Sequence, residues 1–179
     1  MAQPRFQVTP AVHLVLRRER DVLLLRRFNT GYEDGNYSLP AGHLDGAETV
    51  SAAMIREAAE ELRVVITPAD LRMAHVMHRN VAAPDAEPEE RVDFFLAARR
   101  WQGTPVVGEP DKCDEVAWFA VTALPGNVVP YVRSALECCQ RGVSFSEFGW
   151  PPEAAGGVTF ARRRVSGWVT PELGEWADD

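Results

Sequence analysis

Apolar and polar positions along this chain switch between a period of two and a period of about 3.6, and the switches predict the order of elements. Gln7 to Arg18 (QVTPAVHLVLRR) reads as a strand with mixed burial, and Asp21 to Phe28 (DVLLLRRF) as a second strand, apolar enough to lie centrally in a sheet. Arg20-Asp21 makes the turn between them, so the two form a hairpin. The following NTGYEDGNYSLPAG is rich in glycine and turn formers and predicts a loop ending at Gly42. From Thr49 to Leu62 the period becomes helical, with Ile55, Ala58, Ala59 and Leu62 forming an apolar face, although Val50 falls on the acidic side. Pro68-Ala69-Asp70 breaks the chain. Leu71 to Val81 and Arg91 to Trp101 are two further strands, separated by AAPDAEPEE, an acidic connection expected to be exposed. Val116 to Val121 is another strand. Pro130 suits the first turn of a second helix, with Val132, Ala135, Leu136 and Cys139 at i, i+3, i+4 and i+7 and Gly142 closing it. Strands, a helix, strands and a closing helix predict an α/β fold with a mixed β-sheet and helices on both faces. Beyond Phe145 the pattern loosens into a linker-like GWPPEAAGG and a tail carrying Arg162, Arg163, Arg164, Trp168 and Trp176. The expected organisation is one domain over 1–145 and a C-terminal tail, 146–179, that packs back, reaches a partner or stays mobile.

Composition narrows the function classes. With 179 residues, 46% of them hydrophobic and 25% charged, the chain is long enough for one well-packed domain. Its net charge of −7 argues against an extended nucleic-acid surface, and it requires local cations to draw in an anionic substrate. MAQPRF has no apolar leader core, and no run approaches the roughly 18 apolar residues of a membrane span. Three cysteines, Cys113 and the adjacent Cys138-Cys139, make no disulfide or metal framework, so a cytoplasmic location is the default.

The chemistry concentrates in the first helix. Glu57, Glu60 and Glu61 stand at i, i+3 and i+4 and share one face. Like charges at these spacings destabilise a helix by roughly 0.2–0.5 kcal/mol per pair. A solvated charged face is the ordinary reading of such a run. Here the run also has an apolar face opposite and a Leu39-Pro40-Ala41-Gly42 bend that brings backbone carbonyls near, so a hard divalent cation such as Mg²⁺ (or Mn²⁺) is the natural counter-charge. Arg26 and Arg27 point to opposite faces of their strand, so at most one readily faces a site and takes a phosphate oxygen. Glu48 suits either the positive end of the helix or a metal role. His75 and His78 fall on opposite faces of a strand, which speaks against a shared metal, and Cys138-Cys139 reads as packing.

Gly42, Glu48, Arg56-Glu57, Glu60-Glu61 and Val64 resemble the signature of the Nudix hydrolases. One fixed position departs, because Arg63 stands where that family has the glycine that ends the helix in a left-handed turn. A side chain there costs on the order of 1 kcal/mol unless the turn is reshaped. Ala58 is also smaller than the family's aliphatic residue. The resemblance implies a Nudix-type α/β/α sandwich over roughly residues 5–145. It also implies hydrolysis of a diphosphate linkage in a nucleoside diphosphate derivative or nucleoside triphosphate. Glu60 and Glu61 would be metal ligands with the Ala41 carbonyl as a third, Glu57 a general base or a further ligand, and Arg56 the residue orienting a carboxylate. An additional acid comes from the loop before the last strand, with Glu115 the first candidate and Glu109 the second. Gly42, Arg26 and Arg27 are the substrate-side candidates, with Asn29, Tyr32 and Tyr37 in the preceding loop. Such sites often lie near or across a dimer interface, so a homodimer is one state the resemblance allows. The alternative is a Nudix-fold module that binds a ligand without catalysis.

Overall fold

The computed structural model describes residues 6–83 and 86–151. The strands are β1 (Thr9–Arg18), β2 (Asp21–Arg27), β3 (Tyr37–Ser38), β4 (Ala41–His43), β5 (Leu71–Ala83), β6 (Ala86–Ala98), β7 (Cys113–Ala120) and β8 (Phe145–Phe148), and the helices are α1 (Val50–Leu62) and α2 (Pro130–Gln140). β1 and β2 pair only where they meet, at Arg17↔Val22 and Arg18↔Asp21. They then part. β1 runs parallel to β6 from Thr9↔Arg91 to Leu16↔Ala98 and antiparallel to β4, while β2 lies between β3 and β7.

Alternation along β1 and β2 assigns the two helices to opposite faces. Val12, Leu14, Leu16 and Leu23 join Ala53, Met54, Ala58 and Leu62 of α1 in one core cluster. Val15, Val22 and Leu24 join Val132, Ala135 and Leu136 of α2 in the other. Both faces of these strands are covered, which is why DVLLL carries no polar alternation. The fold is the expected mixed-sheet α/β/α sandwich.

Three local expectations change. The acidic stretch between β5 and β6 is strand for most of its length, since pairing continues through Asn80↔Glu90 and Val81↔Glu89 to Ala83↔Ala86. Phe145–Phe148 adds an edge strand, β8, parallel to β5, so the boundary expected at residue 145 falls inside the sheet. The buried stripe of α1 is Ala53, Met54, Glu57, Ala58 and Leu62, with Ala59 exposed and Ile55 only partly covered. The helix is therefore rolled so that two of its acids flank the core. The arginine triplet, Trp168 and Trp176 lie outside the described residues, as does most of the tail.

His75 is buried, with its ring nitrogens 2.8 Å from the Val143 carbonyl and the Ser146 hydroxyl, while His78 pairs at 3.2 Å with Glu90. Cys139 is buried against the α2 side of the core and Cys138 is half-buried. Among the described residues no helix is long and apolar enough to cross a membrane.

Candidate active site

Thr49 starts α1, its hydroxyl accepting from the Ala52 N–H at 3.2 Å. From there the helix runs beside β4, and the two elements bring the acids to the Ala41–Gly42 bend. The Glu61 carboxylate accepts the Ala41 N–H at 2.8 Å. Glu57 rests directly on Gly42, where a Cβ would run into its carboxylate, so only glycine leaves that seat open. Arg56 joins the group together. Its guanidinium donates to Glu57 at 2.6 Å, Glu60 at 3.2 Å, Glu48 at 2.9 Å and the His43 carbonyl at 3.1 Å. Glu48 thus serves as a partner of Arg56 and of the Asp45 N–H, and both contacts hold its carboxyl below the ordinary range.

These acids line a cleft of about 480 Å³ whose walls also carry Arg27, Thr30, Glu109 and Lys112. Lys112 Nζ stands 3.1 Å from Glu109, and the pairing raises the lysine's pKa. Desolvation pushes the Glu61 carboxyl up to about 8, against the pull of the Ala41 N–H and with Glu57 and Glu109 adding to the rise. Burial likewise raises Glu57, and Arg56 beside it opposes the shift. Five carboxyl groups, Asp45, Glu57, Glu60, Glu61 and Glu109, line the cleft against three cations, Arg27, Arg56 and Lys112. The donors are all hard oxygens, which fits a divalent cation of the magnesium type. Among the described residues no three ligating side chains already converge on one point. Arg56 holds Glu57 and Glu60, while the Ala41 N–H holds Glu61.

The expected site residues divide cleanly. Arg56, Glu57, Glu60, Glu61, Ala41, Gly42 and Arg27 meet at the cleft. Arg26 and Glu115 do not. They face each other across the β2–β7 ladder, with Arg26 Nη1 3.1 Å from Glu115, and Arg26 is further held by Asp114 at 2.7 and 3.0 Å. Tyr37 donates to Glu115 at 2.9 Å on that same side. β7 starts at Cys113, so Glu115 is in the strand rather than the loop, and the bulge between the Arg27↔Cys113 and Arg26↔Glu115 pairs turns it away from the cleft that Cys113 lines. Glu109, the second candidate, is in the loop and lines the cleft. Arg27 instead turns inward, donating to the Tyr32 carbonyl at 2.7 Å and to Thr30 Oγ1 at 3.0 Å. Lys112 was legible only as the cation i+3 from Glu109, a pattern common to any charged loop.

Comparison with known proteins identifies the family and the fold. The family model for the NUDIX domain matches residues 7–137. Over 124 residues the chain is 27% identical to the NAD-capped RNA hydrolase NudC of Chromobacterium violaceum, an alignment covering 69% of this chain and 42% of that protein. The chain therefore spans less than half the length of that curated relative. A MutT NUDIX hydrolase from Burkholderia pseudomallei superposes with a TM-score of 0.65 at 29% identity, covering 74% of this chain and 98% of that one. A MutT protein from Methanosarcina mazei Go1, at 19% identity and a TM-score of 0.63 over 78% of this chain and 97% of that one, shares the fold.

Proposed function

The chain belongs to the Nudix family of pyrophosphohydrolases, and from that premise we propose that it hydrolyses the diphosphate linkage of a nucleoside diphosphate derivative or a nucleoside triphosphate, with Mg²⁺ or Mn²⁺. The observation that carries this reading is the meeting of Glu57, Glu60, Glu61 and Glu109 with Arg27 and Lys112 in one cleft. Water adds to a phosphorus, the anhydride P–O bond breaks, and the leaving phosphate departs with its bonding electrons. Glu60 and Glu61, with Ala41 beside them, would hold the divalent cation, which neutralises phosphate oxygens and acidifies bound water. Glu57, its basicity raised by burial, would take the water's proton or serve as a further metal ligand. Arg56 fixes the directions of Glu57 and Glu60, and Arg27 faces the substrate's phosphate. Three free thiols go with a reducing, cytoplasmic setting.

The test is a panel of nucleoside triphosphates and diphosphate-linked nucleosides, dinucleotides of the NAD type included, incubated with Mg²⁺ or Mn²⁺. Saturable release of a nucleoside monophosphate, phosphate or pyrophosphate is expected. A chain that turns over none of them would instead be a binding module, and one that also lacks saturable metal-dependent stabilisation would defeat the site reading.

Two further results are expected at this site. Gly42→Ala should lower kcat about 10²-fold, the scale of an ångström's misplacement of a reacting group. The atoms nearest its new methyl all belong to the far end of the Glu57 side chain, which can give way without moving the backbone, so circular dichroism and Tm should change little. A kcat within threefold of the parent's would mean that the Glu57 seat is irrelevant. The second result concerns pH. The folded chain holds Glu61 up to about 8 against an ordinary 4.5, so folding takes up protons there. This group's stabilising contribution is full below about pH 4.5 and is lost as pH rises through about 8. Bound Mg²⁺ replaces the proton, so the Tm gain on adding Mg²⁺ should grow between about pH 6 and pH 8.5. An equal gain at both ends would contradict Glu61 as a ligand.

A further inference from the structure

α1 ends on Arg63 in the left-handed conformation that favours glycine, with φ 58° and ψ 30°, and its backbone N–H reaches the Ala58 and Ala59 carbonyls. The turn is thus kept rather than reshaped. What an arginine supplies there, and a glycine could not, is a guanidinium. Its Nη2 donates to the Gly108 carbonyl at 2.7 Å. The same loop is bonded to the helix end from the other direction. Gly108 N–H donates to the Glu61 carbonyl at 2.8 Å, and Val106 N–H donates to that of Leu62 at 3.1 Å. These loop amides satisfy carbonyls that the last turn of any helix leaves open. Gly108 lies so close that a Cβ would strike the Glu60 carbonyl. The next residue in the chain is Glu109, whose carboxylate lines the cleft.

We infer that Arg63 is a positioning residue: by gripping the Gly108 carbonyl it clamps the 105–112 loop to the end of α1 and sets where Glu109 stands relative to Glu57, Glu60 and Glu61. The inference deepens the hydrolase reading and rests on it for its catalytic consequence. The clamp makes the acids of the helix and the acid of the loop one rigid unit. Gly108 is bonded through both of its backbone groups, its N–H to the Glu61 carbonyl and its carbonyl to Arg63, so the two peptide units leading into Glu109 are each tied to the helix end. Losing the guanidinium releases one of those two restraints.

Arg63→Gly is the informative variant, because glycine accepts the left-handed turn without strain and the helix end survives. Hydrogen exchange of residues 105–112 should accelerate on the order of tenfold, the scale of one lost hydrogen bond, while Tm stays close to that of the parent. kcat should fall by roughly 3- to 10-fold and Mn²⁺ affinity should weaken, with KM little changed. Arg63→Lys, which retains a cationic donor, should recover part of both. In a Glu109→Gln background the Arg63→Gly substitution should have no further effect on kcat, since the clamp acts through that carboxylate. Unchanged exchange in Arg63→Gly overturns the clamp. Equal losses of kcat in the two backgrounds overturn its route through Glu109. Exchange and Mn²⁺ titration need no turnover, so they decide the clamp even if the parent protein hydrolyses none of the panel.

Discussion

Glu57→Gln is expected to lower kcat by about 10²–10⁴-fold with the fold intact. Glutamine fills the same volume on Gly42 and still offers an oxygen to Arg56, so packing and the 2.6 Å contact have no reason to collapse. What disappears is the carboxylate's ability to take a proton. Burial raises its pKa, which strengthens it as a base, and Arg56 beside it opposes that rise. The pH–rate profile separates the two roles open to Glu57. If it is the base, the acidic limb of the profile goes with it and excess Mg²⁺ restores nothing. If it is a metal ligand, excess Mg²⁺ partly restores kcat and the limb stays. Activity within threefold of the parent's would exclude both roles. Glu115→Gln makes the contrast, because that carboxylate lies with Arg26 and Tyr37 on the other side of β2. Its expected change in kcat is under about threefold, the scale of a residue that touches neither water nor phosphate.

Asp93→Ala should destabilise the protein by about 3–5 kcal/mol, read as a lower urea midpoint at unchanged slope. Asp93 is fully buried on β6, and Arg79, 4% exposed on β5, donates to it at 2.7 Å. His13 Nε2 stands 3.5 Å from its other oxygen, an ion-pair distance rather than a hydrogen bond. Burial alone would raise the Asp93 carboxyl, but these two neighbours bring it down to about 2. A depressed carboxyl stabilises the fold above its ordinary pKa of 3.8 and loses that contribution as pH falls through about 2. Removing Asp93 leaves the Arg79 guanidinium buried, over the Tyr131 ring 3.8 Å away. Arg79→Met/Asp93→Leu should therefore be far less destabilised than Asp93→Ala, since no charge is left uncompensated. A single variant as stable as the parent would show that water reaches the guanidinium.

The loop acids show why part of the site was hard to read along the chain. Glu109, Asp111, Asp114 and Glu115 are near one another in sequence, and nothing local distinguishes them. Which one enters the cleft depends on where β7 begins and on its register against β2. Pairing of Arg26 with Glu115 and of Arg27 with Cys113 places a bulge between them, and that bulge settles the side each residue faces. β8 was missed for a related reason. Phe145–Phe148 is too short for a clear period and becomes a strand only because β5 offers it an open edge.

The chain's own pattern determined the mixed sheet with helices on both faces, the helix that bears the acids and the bend at Ala41–Gly42. Each follows from period, turn chemistry or spacing within about twenty residues, where local backbone preferences dominate. Only the folded sheet decided how α1 is rolled. Packing Met54, Ala58 and Leu62 against β1 carries Glu57 and Glu61 toward the core edge and leaves Glu60 outside, with its side chain 50% exposed. Desolvation then separates three carboxylates that are alike in sequence, because the energy of a charge depends on the water and partners around it rather than on its neighbours in the chain.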